Sequence, residues 1–131
     1  MESSFADLRR TNMMKNVTGA SREIIERVEQ ELSIRFSMEY KMFLREIGAY
    51  IGREHEIVGI CDYDDMNVLN TTKENQSMYS NIPRNWYVIE IPHINSIVIW
   101  QDENGAIYQT MSGKNAVKVA SSLFEYLNDE F

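Results

Sequence analysis

Five carboxylates crowd into residues 53–73, where Glu54, Glu56, Asp62, Asp64 and Asp65 stand against only Arg53 and Lys73. Carboxylates at this density can hold a cation or draw in a basic partner by long-range attraction. The calcium option fails on spacing. An EF-hand loop beginning at Asp62 needs a third oxygen ligand where Met66 sits and a glycine where Asn67 sits. The partner option leaves Asp62-Tyr63-Asp64-Asp65 facing a basic cleft, with Tyr63 as an amphipathic anchor and the acids raising the association rate. The plainer alternative is a solvated loop that aids solubility. Asp102 and Glu103 form a second acidic point, although turn chemistry accounts for Asp102-Glu103-Asn104-Gly105 without a partner.

Catalytic chemistry finds little to build on. His55 and His93 are the only histidines, and His55-Glu56 lacks the second histidine of a helical zinc-protease motif. Cys61 is the sole cysteine; beside an apolar strand it reads as packing rather than as a nucleophile, and it rules out an intramolecular disulfide. The eight methionines, Met38 and Met42 among them, suit core filler or adaptable contact surface better than a cofactor site. With no nucleophile, base and orienting group in one pattern, we expect no enzyme, no catalytic residue, no metal and no cofactor.

The formal charge of -7, from 13 basic and 20 acidic residues, argues against direct binding to nucleic acid, because phosphate contacts depend on basic groups. No run of about 18 apolar residues is present for a membrane span, and no apolar stretch follows a basic start at the N-terminus. Together with the lone cysteine, this suits a reducing cytoplasm.

The elements that must position the acids follow from periodicity. Residues 1–20 show no sustained period and read as an arm, either frayed or docked on a single domain over residues 21–131. Ser21 caps a helix whose Ile24, Ile25, Val28 and Leu32 share one face, and which runs to about Ser33. Ser37 caps a second helix with Tyr40, Phe43, Leu44 and Ile47 inward and Glu39, Lys41, Arg45 and Glu46 on the wet side. Gly48 ends that helix in a left-handed cap. Glu56-Ile57-Val58-Gly59-Ile60 is then a short strand, with Gly59 as a bulge or close-packing point. Residues 62–76 read as a loop entering a short helix.

After Pro83 the period changes to two. Trp86 to Ile91, Ile97 to Trp100 and Ala106 to Thr110 carry the β-branched and aromatic residues that favour strands. Asp102-Glu103-Asn104-Gly105 joins the last two as an antiparallel hairpin. At least one of Trp86 and Tyr87 should be exposed, since strand neighbours point to opposite faces. Ala116, Val119, Ala120, Leu123, Phe124 and Leu127 mark a closing helix lying on the sheet. The class is α+β: two N-terminal helices, a mainly antiparallel sheet and a C-terminal helix packed on it, with one core burying about two thirds of the unfolded chain's surface.

The segment Phe36-Ser37-Met38-Glu39-Tyr40-Lys41-Met42-Phe43-Leu44, followed by Ile47-Gly48 and Glu56-Ile57-Val58-Gly59-Ile60, resembles the SUKH superfamily. There a Leu-Pro-x-x-Tyr-x-x-Phe-Leu segment precedes an Asn-Gly and a glycine-containing strand. Ser37 stands where proline is usual; either residue can start a helix. Ile82-Pro83 before Trp86-Tyr87-Val88-Ile89, and Asn104-Gly105-Ala106-Ile107-Tyr108, are similar to the family's later strands. His93-Ile94-Asn95-Ser96 replaces a glycine-rich turn common there. The resemblance spans residues 21–127.

The superfamily includes a yeast cell-wall assembly regulator and many bacterial immunity proteins. The resemblance therefore implies a non-enzymatic intracellular binding domain, most often an immunity protein that occludes a cognate toxin, many such toxins being nucleases. The alternative it leaves is a regulatory or scaffold domain. A nuclease is basic near its site, so an acidic inhibitor can imitate phosphate across an interface of about 800 Å² per partner. The residues expected to meet a basic toxin are Glu54, Glu56, Asp62, Tyr63, Asp64, Asp65, Asp102 and Glu103.

Overall fold

Capping chemistry fixes the first two long helices where the spacing places them. In the computed structural model, which describes residues 5–128, Ser21 accepts from the Ile24 N–H at 3.2 Å and starts α2 (Arg22–Leu32). That helix stops at Ser33, whose φ of 56° is left-handed. Ser37 accepts from the Tyr40 N–H at 3.0 Å and starts α3 (Met38–Glu46), which buries Tyr40, Phe43 and Leu44. Serine here supplies something proline lacks. Its backbone N–H donates to the Tyr87 hydroxyl at 2.9 Å, and that hydroxyl donates to Gln101 Oε1 at 2.7 Å, so the helix start is tied to the sheet.

Of the two states open to the first segment, its described part is docked. Phe5 is fully buried, stacked on Phe124 at 4.6 Å and edge-on to Phe43 at 5.6 Å, immediately before α1 (Ala6–Thr11). Asn12 then bonds the backbone of Ala49 and Ile51 at 2.9 and 3.0 Å. Residues 1–4 of the expected arm and 129–131 of the expected domain lie outside the described residues.

A two-stranded ribbon pairs β1 (Tyr50–Ile51) with β2 (Glu56–Ile57). The main sheet runs in chain order through β3 (Tyr87–Glu90), β4 (Val98–Gln101), β5 (Ile107–Thr110) and β6 (Val117–Ala120), antiparallel throughout. Between ribbon and sheet, a 3-10 turn at Asp64–Met66 leads into α4 (Val68–Met78), which lies along β3. Asn67 caps α4 by accepting from the Leu69 N–H at 2.9 Å. The chain closes with α5 (Leu123–Asn128), so the α+β class read from the sequence is the one observed.

Three expectations need correction. The closing helix begins at Leu123, not near Ala116: Val117-Lys118-Val119-Ala120 pairs with β5 as a strand, with Val117 and Lys118 exposed. The β-branched alternation there fits an edge that β5 leaves open, whereas the helical spacing arose by joining this strand to the next element. Trp86 and Tyr87 are both buried, because each finds aromatic cover on its own face. Trp86 stacks on Tyr108 at 4.1 Å, while Tyr87 packs on Phe36 and Tyr40. Glu39 does not face solvent only: its carboxylate accepts from the Leu123 and Phe124 N–H groups at 2.6 and 2.9 Å, capping α5.

The hairpin forms as expected, with Gly105 at φ +101°. In the turn between β3 and β4, His93, Asn95 and Ser96 all take left-handed φ, so non-glycine residues bear the backbone cost that glycine would avoid. Among the described residues no buried side-chain polar atom lacks a partner.

Candidate partner-binding surface

The acidic turn is held in place by backbone bonds from both of its ends. Gly59 donates to the Met66 carbonyl at 2.9 Å and accepts from the Val68 N–H at 2.7 Å, while Ile60 donates to the Gly48 carbonyl at 2.9 Å. Asn67 Nδ2 reaches back to the Cys61 carbonyl at 3.0 Å. Pinned in this way, residues 60–66 point their polar side chains outward, and Asp62, Tyr63, Asp64 and Asp65 are all exposed, Tyr63 by 56%.

Three of the expected contact residues meet around one cavity. Glu56, Tyr63 and Asp65 line a hollow of about 370 Å³ together with Met13, Met14, Lys15, Ile51, Val58, Met66, Ile91 and His93. Val58 and Met66 are buried and form its apolar floor. Asp62 and Tyr63 also border a neighbouring hollow of about 420 Å³ that includes Lys15, Ile24 and Cys61. Asp64 is exposed and accepts from Asn70 Nδ2 at 3.4 Å.

The other expected residues do not line that cavity. Glu54 borders different hollows, one shared with Arg53, His55 and Tyr50, the other with Glu90 and Tyr126. Asp102 is committed to its own turn: Oδ1 accepts from the Asn104 and Ala106 N–H groups at 2.9 and 3.0 Å, and Oδ2 from the Tyr108 hydroxyl at 3.2 Å. Glu103 is exposed at the hairpin tip. Sequence reading missed the methionine wall, although Met13-Met14 in a polar stretch was its visible signal.

It also missed a buried polar cluster. Glu90 is 4% exposed, and its carboxylate accepts from the Glu56 N–H at 2.7 Å and from the Tyr126 hydroxyl, and it bonds His55 Nδ1 at 3.0 Å. A lone carboxylate inside the apolar run Trp86 to Ile91 was the signal, since a buried charge must find partners. The bond from Glu90 raises the His55 pKa against the opposing effect of burial, and burial and the Glu90 charge push the Tyr126 phenol upward.

A histidine whose folded pKa lies above its free value of about 6.5 stabilises the fold fully below that pH and loses this contribution as pH rises through the raised value. The unfolding midpoint should therefore decline as pH climbs above about 6.5. Urea titrations across that interval check this, and His55→Gln should flatten the decline; a midpoint rising with pH in the wild type would contradict it.

Two hollows border His55, one lined also by Glu54, Glu90 and Tyr126, the other by Thr11, Tyr50 and Arg53. Cys61 lies elsewhere, half-buried rather than fully packed, and burial pushes its thiol upward, away from the reactive thiolate. Among the described residues no three His, Cys, Asp or Glu side chains are grouped to hold a metal ion, and no helix is long and apolar enough to cross a membrane.

Sheet, ribbon and helices thus define a small α+β domain whose most chemically distinctive surface is an acidic turn beside a methionine-walled cavity. The chain belongs to the SUKH_5 family, described as SMI1-KNR4 cell-wall, whose model matches residues 1–131. Its fold is similar to a crystal structure of a protein from Pseudomonas syringae pv. tomato, with a TM-score of 0.78 at 16% identity over 98% of this chain and 96% of that one. No curated protein matches the sequence.

Proposed function

We propose that this domain is a non-enzymatic cytoplasmic immunity protein that binds a cognate toxin with a basic surface and occludes it. The observation that carries the reading is the outward-facing Asp62-Tyr63-Asp64-Asp65 turn, held by backbone bonds at Gly59 and Asn67. A pinned acidic surface keeps its field in one place, which steers a basic partner and lowers the ordering cost of docking. Membership of the SUKH_5 family supports a binding role.

Co-expression with the product of the neighbouring toxin gene tests this: a complex and restored growth are expected. If neither appears and an unbiased pull-down returns a housekeeping assembly, the domain is a recruitment module instead. Charge reversal at Asp62, Asp64 and Asp65 should slow association roughly tenfold or more at low salt and much less at high salt. Stopped-flow mixing at two ionic strengths reads this, and a rate indifferent to both charge and salt would remove the steering role.

A further inference from the structure

We infer that the cavity beside Tyr63 is a socket for one arginine side chain of the protein partner. The inference rests on the binding role proposed above and adds which side chain the partner must insert. The floor, Val58 and Met66, is apolar and buried. Met13 and Met14 add unbranched thioethers, which adapt their shape to a flexible chain. At the rim stand two exposed carboxylates, Glu56 and Asp65, and the ring of Tyr63.

An arginine matches each layer. Its methylene stem lies against the methionines while its charged head stays at the wet rim. The planar guanidinium offers five N–H donors to carboxylates and stacks on an aromatic face. A purely apolar side chain would fill the floor and leave the two acids without a counter-charge. A carboxylate-bearing side chain would be repelled. Lys15 shares the rim, but one ammonium against two carboxylates leaves the rim negative.

The probe is n-butylguanidinium, titrated into the full chain carrying 13C-methyl methionine. Saturable shifts of the Met13, Met14 and Met66 methyls are expected, with affinity about fivefold weaker in the Glu56→Gln/Asp65→Asn double variant, as two exposed charge pairs would give. Both substituted residues are exposed, so an unchanged unfolding midpoint verifies that the variant is folded. Absent or non-saturating shifts, equal affinity in the double variant, or equal shifts from n-pentanol would each overturn the socket. If the toxin binds and the double variant holds it as tightly as the wild type, the socket fails while the immunity role stands. If butylguanidinium docks but no toxin complex forms, the immunity role falls and the socket remains.

Discussion

Replacing Gly59 with alanine should abolish cooperative folding, or leave a domain at least about 4 kcal/mol less stable. A Cβ at this position would lie 1.7 Å from the Gly48 carbonyl oxygen, 2.8 Å from its carbon and 3.2 Å from the Ala49 Cα. All three are backbone atoms, so no side chain can rotate away. The Gly48 carbonyl is itself held at 2.9 Å by the Ile60 N–H, and Gly48 sits at φ +93°, against Thr18 on its other side. On the far side, Gly59 is bonded to Met66 and Val68. Retreat in either direction therefore breaks backbone bonds in a buried region, each worth about 1–3 kcal/mol when left unmade.

The same contact connects folding to recognition. Gly59 anchors the loop that presents Tyr63 and its neighbouring acids, so any shift that relieves the clash moves the proposed binding surface. Urea unfolding followed through the buried Trp86 and Trp100 measures the effect. A midpoint like the wild type's would mean that Gly59 and the end of α3 do not touch as described.

What was legible in the sequence is what short-range chemistry decides. Ser21 and Ser37 start their helices because each satisfies a backbone group three residues on, Gly48 closes the second by bonding the Phe43 carbonyl five residues back, and the Asp102 to Gly105 turn is closed by bonds spanning four residues or fewer. The acidic turn was visible for the same reason, since its charges are consecutive. The cavity was not, because its walls come from residues 13–15, 51–66 and 91–93, brought together only by tertiary packing. Trp86 and Tyr87 show the limit of strand alternation: it fixes opposite faces, but it does not say whether both faces are covered. Val117 to Ala120 shows another, since four residues carry too little periodicity to separate a strand from the helix that follows. His55, Glu90 and Tyr126 lie 35 and 36 residues apart in pairs, and only the need to neutralise a buried carboxylate hinted that Glu90 had partners.

Glu39→Ala should destabilise the domain by about 3–5 kcal/mol, a large loss for a half-buried polar residue near a helix start. Its Oε1 accepts from the Leu123 N–H at 2.6 Å and from Gln101 Nε2 at 3.2 Å, and its Oε2 from the Phe124 N–H at 2.9 Å. One carboxylate thus joins α3, the end of β4 and the first turn of α5. Six residues are too few for α5 to hold helical structure without such a tether. Its side chains matter beyond their own turn: Leu123 is fully buried, Phe124 stacks on Phe5, and Tyr126 bonds Glu90. Releasing α5 therefore loosens the docking of Phe5 and of the first segment that carries Met13 and Met14 to the cavity wall. Glutamine restores one acceptor but turns an NH2 toward a backbone donor, so Glu39→Gln should recover only part of the loss. Hydrogen exchange separates this tether from packing alone: protection should fall first at Leu123 and Phe124, then at Met13, whose N–H donates to the Ile51 carbonyl at 2.7 Å, and at Ile51, whose N–H donates to Asn12 Oδ1 at 3.0 Å. A loss below about 1 kcal/mol with protection intact at both places would show that α5 is held by its apolar face and not by the cap.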